Sequence, residues 1–178
     1  MSWIKNIIKR IKIALFGLPR GEGHFLDMNG SLYLKHLKRT GEIIDKGLVA
    51  TKSVTNAGAA YLCDAMQSSG AASNMGMFYW HDCGTGTGAE AVGDTDLGTA
   101  TGVNEVRTTG TQTETSAMVY KTISTHTFAV TGAAITEHGL FSSSDSTTLW
   151  DRSLFAAINV SSGDSIEFTY ELTITPGG

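Results

Sequence analysis

The sequence predicts a mainly β protein: an antiparallel β-sandwich or jelly-roll-like domain with one internal helix and an N-terminal amphipathic helical arm. Residues 165–175 alternate apolar and polar side chains, as a strand with one buried face does. Further strand-like runs precede it from residue 118 onward, separated by short turns rich in Gly, Ser and Asp. The 178 residues include 21 Gly and 2 Pro, and 17% are charged, which suits one packed domain of ordinary size.

Residues 1–23 are predicted to form an arm and a hinge, and residues 24–178 the β-rich domain. Residues 3–18 have the periodicity of an amphipathic helix, which Gly17 and Pro19 end. The helix can dock in a groove of a partner subunit, lie on a membrane surface or pack on its own domain. The hinge after Pro19 favours a partner. The predicted partner-binding residues are apolar on one face and basic on the other: Trp3, Ile4, Ile7, Ile8, Ile11 and Leu15, and Lys5, Lys9, Arg10 and Lys12.

A hairpin and one helix are predicted at the start of the domain. Residues 31–38 and 42–49 are strand-like runs separated by a three-residue turn. Residues 55–68 are predicted to form a helix that Thr55 or Asn56 caps, because the side-chain oxygen of either residue can accept a hydrogen bond from the first turn.

The second half of the domain is predicted to be β throughout, after one long loop. Residues 77–80 read as a short strand, and the loop at residues 84–116 contains ten Thr and seven Gly. Loops of this length are functional, disordered or ordered by partners. The four strands predicted after the loop are residues 118–130, 134–142, 147–160 and 165–175.

The charges are unevenly distributed along the chain. Residues 1–53 hold ten Lys/Arg and four Asp/Glu, a balance of +6. Residues 54–178 hold three Lys/Arg and thirteen Asp/Glu, a balance of −10, so the whole chain carries −4. An acidic body is unsuited to binding DNA over its surface, and no specific nucleic acid is predicted as a partner. The asymmetry favours docking of the arm on a neighbouring subunit. The alternative is that the acidic face only keeps the domain soluble.

Neither a membrane segment nor a disulfide is predicted. No run reaches the roughly 20 apolar residues that a membrane span needs, and a membrane partner is not expected. Lys9, Arg10 and Lys12 interrupt any apolar core of a signal peptide. Cys63 and Cys83 do not form a CxxC pair, and we expect two free thiols in a reducing cytoplasm.

Two motifs in the long loop resemble ligand sites only loosely. Residues 84–89 match the loose form of the dinucleotide fingerprint, but the acidic residues that follow do not predict the required helix. A flexible surface loop is predicted instead. Asp94 and Asp96 alternate as calcium ligands do, but the other ligands of an EF-hand loop are missing, which favours a solvated turn.

No catalytic residue, metal ligand or cofactor is predicted. His81, Asp82 and Cys83 are adjacent, so on a strand they point to opposite faces and do not converge on one metal. His126 and His138 lie on other predicted strands, and their spacing does not indicate a metal site. The sequence also lacks the GxSxG motif of hydrolases with a serine nucleophile.

Glu137 lies near the start of the strand predicted at residues 134–142. A catalytic carboxylate pair with Glu105 or Glu114 would need contacts that nothing in the sequence indicates. We predict instead that Glu137 is a structural residue that accepts hydrogen bonds from backbone or hydroxyl groups near a strand turn.

Several segments, in this order along the chain, resemble the small structural proteins of tailed bacteriophage virions. The resemblance covers about residues 40–175 and does not include the predicted arm. The segments are VTNAG at 54–58, GTGTG at 84–88 with DTDL at 94–97, and ITEHGLF at 135–141 with LWDRSLF at 149–155 and GDS at 163–165.

The resemblance implies a non-enzymatic virion protein without a cofactor, assembled in the host cytoplasm. It implies a capsid decoration (cement) protein or a tail or neck component. Together with the arm and the long loop, this leads us to predict a decoration protein that binds neighbouring capsid subunits through its arm and loops. Its partners would be the major capsid protein or other virion subunits, and a homo-oligomer is expected. The alternatives are a tail, neck or fibre-attachment protein of the same virion, and a host-surface or carbohydrate-binding module that uses residues 84–116. An enzyme would need convergent acid and base groups in a deep pocket.

Overall fold

The chain is mainly β within the part that the structure describes. The computed structural model describes residues 27–66, 78–100, 106–116, 118–145 and 148–175. Met28–Thr175 form one compact unit. Residues 1–23, which include every predicted partner-binding residue, lie outside the described residues, so the amphipathic arm and its boundary stay predictions.

Nine strands and one helix occupy the described ranges. The strands are β1 (Asp27–Leu37), β2 (Ile43–Ser53), β3 (Trp80–Gly84), β4 (Thr108–Thr109), β5 (Thr111–Ser116), β6 (Val119–Thr127), β7 (Ala133–Phe141), β8 (Leu149–Val160) and β9 (Ser165–Thr175). The helix α1 (Asn56–Met66) follows β2. The strands form two antiparallel sheets with the orders β2-β1-β9-β6-β5 and β4-β3-β7-β8.

Both sheets bury side chains in the same hydrophobic cluster. Leu34 on β1 and Phe168 on β9 belong to the five-stranded sheet, and Ile135 on β7 and Ile158 on β8 belong to the four-stranded sheet. Each of these four side chains is at most 5% exposed. Burial of this apolar surface is the main favourable contribution to folding.

The predictions for β9, the hairpin and the helix start are confirmed. β9 has the predicted bounds, and its alternating apolar residues Ile166, Phe168, Tyr170 and Leu172 are buried. In the hairpin, Leu37 pairs with Ile43, and Gly41 takes the positive φ of +91° that the turn requires. Thr55 caps α1, because its Oγ1 accepts a hydrogen bond from the Gly58 N–H at 3.1 Å.

The strand predicted at residues 77–80 is wrong in its position. β3 begins at Trp80 and continues through His81, Asp82 and Cys83, which are all buried. Polar partners from distant strands make this burial tolerable: a histidine from β7 bonds to His81, and Arg107 lies 3.5 Å from Asp82. The predicted strand therefore ends where β3 begins, because polar residues in a row lack the apolar pattern of a strand.

The loop predicted at residues 84–116 is too long. Its last part forms β4 and β5, and β5 pairs with β6. β-branched threonines pack well on a pleated surface, so a Thr-rich segment suits a strand even without apolar alternation. Residues 85–100 remain without helix or strand, and they form the loop of the candidate site. The later predicted strands correspond to β6, β7 and β8 with small shifts in their ends.

Candidate functional site

Glu137 on β7 anchors the loop of residues 85–100 to the four-stranded sheet. Its side chain is 0% exposed. Its Oε1 accepts hydrogen bonds from the N–H groups of Gly86 at 2.8 Å and Thr99 at 2.7 Å, and its Oε2 accepts one from the N–H of Gly98 at 2.9 Å. The prediction that Glu137 is a structural acceptor of backbone hydrogen bonds is therefore confirmed.

Arg152 on β8 completes the anchor. Its Nε donates to Oε2 of Glu137 at 2.9 Å, and its guanidinium also donates to a carboxylate oxygen of Asp94 at 2.9 Å and to the carbonyl oxygen of Gly88 at 3.2 Å. One arginine thus bonds to the sheet and to two points of the loop. We call Glu137, Arg152 and Asp94, with the loop groups that they bind, the loop clamp.

The charges of the loop clamp support each other despite their burial. Burial alone would raise the pKa of Glu137, but the hydrogen bonds from Thr99, Gly98, Arg152 and Gly86 outweigh it and lower the pKa. The carboxylates of Glu137 and Asp94 in turn raise the pKa of Arg152. All three side chains are therefore charged at neutral pH.

Two glycines of the GTGTG motif, Gly84 and Gly86, are explained by the loop clamp. A Cβ atom at Gly86 would lie 2.7 Å from Cδ of Glu137 and still closer to Oε1. A Cβ atom at Gly84 would overlap the carbonyl oxygen of Thr99 and lie 3.0 Å from its carbon. The motif therefore lets the backbone approach a buried carboxylate, and no helix follows it within residues 85–100. The predicted flexible loop is anchored by its own glycine N–H groups.

The acidic pair of the loop does not converge on one point. Asp94 accepts from Arg152 and from the N–H of Ala91 at 3.0 Å. Asp96 lies 3.5 Å from Arg107 and accepts from the N–H of Leu97 at 2.9 Å. Each carboxylate thus faces a different arginine, and the turn is held by ion pairs in addition to its contact with solvent.

The start of α1 joins the same arrangement. Thr55 Oγ1 also donates to the carbonyl oxygen of Leu149 on β8, and a Cβ atom at Gly58 would lie 2.9 Å from a ring carbon of Trp150. The N–H of Asn56 donates to the carbonyl oxygen of Val92 in the loop at 2.9 Å. The VTNAG segment therefore fixes the helix to β8 and to the loop.

Arg152 is the functional residue that the sequence reasoning missed. A signal was present, because the acidic stretch 54–178 contains only two arginines, Arg107 and Arg152. Each of them pairs with a carboxylate of the loop. A rare cation in the middle of a strand predicts a buried ion pair. The pattern does not identify the loop partner, because Asp94 lies 58 residues from Arg152 in the sequence.

A second polar group lies between the sheets and consists of His81, His126 and His138, the histidine cluster. Nδ1 of His81 and Nε2 of His138 share a hydrogen bond of 2.9 Å, and Nε2 of His81 and Oγ1 of Thr122 share one of 3.1 Å. Oγ1 of Thr108 is the partner of His126. Burial lowers the pKa of His81 to about 3 and that of His126 to about 4, so the rings are neutral at neutral pH.

These histidines make the folded state sensitive to acid. Their pKa values lie below the ordinary 6.5, so the unfolded chain binds protons first and stability falls as the pH decreases below about 6.5. Asp151 acts oppositely, because burial raises its pKa from 3.8 to about 6 and the folded state gains its proton first.

We expect His81→Gln to lose less stability than the wild type between pH 7 and pH 4, and Asp151→Asn to lose more. Urea unfolding at both pH values measures this, and parallel losses would contradict it.

An apolar pocket of about 170 Å³ opens between α1 and the ends of the strands. It lies at one margin of the compact unit and is distinct from the loop clamp. Half of its lining residues are aromatic, and Phe78 packs between Tyr61 and Trp150 with ring centroids 4.8 and 4.6 Å away. We call this the aromatic pocket, and its further lining includes Met28, Tyr120, Leu172 and Ile174.

No family model, no curated protein and no solved structure matches this chain. Within the described ranges, no helix is long and apolar enough to cross a membrane. The same ranges contain no group of three or more His, Cys, Asp or Glu side chains placed to hold a metal ion. Cys83 is a free, buried thiol, and the side chain of Cys63 lies outside the described residues.

Proposed function

We propose that the chain is a structural subunit of a tailed-phage virion, specifically a capsid decoration protein that binds neighbouring subunits through its clamped loop and its arm. In this proposal the body is a two-sheet β-sandwich that serves as a rigid base for both. The chain acts by adding contacts between subunits, and it performs no reaction. A tail, neck or fibre-attachment role is the alternative within the same virion.

The single observation that carries the proposal is where the segments of the phage resemblance lie. The GTGTG and DTDL segments supply Gly86 and Asp94, and the ITEHGLF and LWDRSLF segments supply Glu137 and Arg152. The VTNAG segment joins the loop through the N–H of Asn56. Five of the six segments thus build one connected arrangement, so their order and spacing have a common physical cause. The sixth, GDS, bonds through Asp164 to the N–H of Arg39 in the hairpin.

A clamped loop suits a subunit that must bind neighbours. Fixing a loop before binding reduces the ordering entropy lost on association, so more of the contact energy appears as affinity. Val92 lies in this loop and is 57% exposed. An exposed apolar residue on a rigid loop is the kind of contact that docks on a neighbouring protein surface.

The polar interior supports a structural role more than a catalytic one. Glu137 and Arg152 are occupied by backbone and ion-pair partners. Burial raises the pKa of the Cys83 thiol far above neutral pH, which keeps it in its unreactive form. The histidines are held neutral and bond to side chains of other strands.

The carbohydrate-binding alternative lacks its supporting feature in the described residues. Sugar rings stack on exposed aromatic side chains, and such side chains near the loop would favour this function. The exposed large hydrophobic residues of the described part are instead aliphatic: Ile43, Leu48, Val92, Val106 and Met118.

Particle occupancy tests the role of the loop. We expect Val92→Asp to lower the amount of the chain in purified virions about tenfold or more, because it places a charge in the proposed contact. Ile43→Asp is the matched control, since Ile43 is 63% exposed on β2 and lies outside the loop. Quantitative mass spectrometry of the particles measures both. Equal occupancy of the particles by the two variants would mean that the loop does not bind the neighbouring subunits.

A further inference from the structure

We propose that the aromatic pocket binds the predicted arm helix, residues 3–18, of a second copy of this chain. This inference rests on the proposed function, because it names the neighbour that the arm binds. Exchange of arms would join the copies into a homo-oligomer before or during their assembly on the particle.

The pocket has the size and chemistry to take one bulky apolar side chain. Its volume of about 170 Å³ is close to that of cavities that stay dry and accept a benzene-sized guest. Tyr61, Phe78 and Trp150 supply aromatic walls, and Leu172 and Ile174 supply aliphatic ones. Interfaces commonly gain most of their energy from one such anchor in a desolvated pocket.

A shallow groove continues from the pocket over the surface. Tyr120 and Ile174 line both the pocket and the groove. The groove passes Met118, which is 53% exposed, and Glu114 on the edge strand β5. A pocket followed by an apolar groove with an acid at its margin fits an amphipathic helix, which places its apolar residues in the groove and its basic residues at the rim.

The described part of the chain begins beside this pocket. β1 begins at Asp27, and Met28, the next residue, lines the pocket. Residues 1–26 carry five Lys/Arg and one Asp/Glu, whereas residues 28–178 carry eight Lys/Arg and fifteen Asp/Glu. A basic arm with an apolar face is therefore complementary in charge to the body of another copy as well as to its apolar groove.

We assign the occupant to a second copy, because an exchange of arms between copies requires no other protein and can form a closed oligomer. Residues 19–26 span roughly 28 Å when extended, and the predicted helix of residues 3–18 is about 24 Å long. The hinge is therefore long enough to carry the helix to an adjacent body. Identical arms that dock in identical pockets fill every pocket in a reciprocal pair, or in a ring when the rotation between copies closes.

Two full-length variants and their controls test the exchange. Ile7→Glu places a charge in the apolar face of the arm, and Asn6→Glu places the same charge on the polar face. Ile174→Glu places a charge in the pocket wall, and Thr173→Glu places it on the neighbouring residue of β9, whose side chain points to the other face. Circular dichroism and melting curves establish that each variant is folded.

Native mass spectrometry and light scattering then give the oligomeric state. We expect an oligomer for the wild type and both controls, and dissociation constants raised about 30-fold or more for Ile7→Glu and Ile174→Glu. A mixture of these two variants should form mixed oligomers, because one retains the pocket and the other retains the arm. A monomeric wild type, or a wild-type oligomer that neither variant weakens, would overturn the inference and assign the arm to its own body or to another protein.

The outcomes separate this inference from the proposed function. If the wild type oligomerises through its arm but purified virions lack the chain, the inference stands and the virion role fails. If virions contain the chain but the purified wild type is monomeric at every concentration tested, the virion role stands and the arm exchange fails.

Discussion

Replacing Glu137 with alanine should lower the free energy of unfolding by about 3–5 kcal/mol, the range for removing one partner of a buried ion pair. The substitution leaves Arg152, which is 7% exposed, without its buried carboxylate. It also leaves the N–H groups of Gly86, Gly98 and Thr99 without an acceptor. Gly86 is buried, so its unsatisfied N–H adds a further desolvation cost, whereas Gly98 and Thr99 are exposed residues.

Guanidinium unfolding measures the loss, and hydrogen exchange locates it. We expect the amides of Gly86, Gly98 and Thr99 to exchange much faster in Glu137→Ala than in the wild type. Glu167→Ala is the control, because Glu167 pairs with Lys35 at the surface at 2.7 Å and such exposed pairs contribute about 0–1 kcal/mol. Similar losses for the two variants would contradict the loop clamp as the main anchor of the loop.

Gly86→Ala adds a methyl group and is expected to lower the free energy of unfolding by about 1–3 kcal/mol, the usual cost of overpacking. The added Cβ would meet the buried carboxyl group of Glu137, which three backbone donors and Arg152 hold in place. Since neither the carboxylate nor the backbone can move away freely, the loop must shift and its hydrogen bonds must lengthen.

Gly88→Ala provides the matched comparison in the same motif. A Cβ atom at Gly88 would have no heavy atom within 4 Å, and its φ is not positive. We expect this variant to stay within about 0.5 kcal/mol of the wild type, as surface substitutions do. Thermal and chemical unfolding of the two variants give the difference, and equal losses would mean that the motif glycines are not required for the approach to Glu137.

The elements that the sequence predicts correctly are those with local signals. Three features depend only on residues a few positions away: the apolar alternation in β9, the turn glycine of the hairpin and the capping Thr55. The sequence also predicts the acceptor role of Glu137, because a carboxylate on a strand near a turn can accept hydrogen bonds from backbone groups.

The features that the sequence does not predict depend on distant partners. His81 and Asp82 are buried in β3 because His138 and Arg107 come from other segments. Arg152 reaches the loop only because β7 and β8 pair in the observed register. Tertiary contacts of this kind override local polarity. The sequence therefore predicts a strand that ends at residue 80, where β3 begins, and a loop at residues 108–116, where β4 and β5 form.

The copy number of this chain in purified virions, relative to the major capsid protein, tests the central claim most directly. Quantitative mass spectrometry of particles that retain their tails gives this ratio. A decoration protein should be present at a number comparable to the capsid protein. A small number that matches tail or portal symmetry would place the chain in the tail or neck, and its absence from the particles would contradict the virion role.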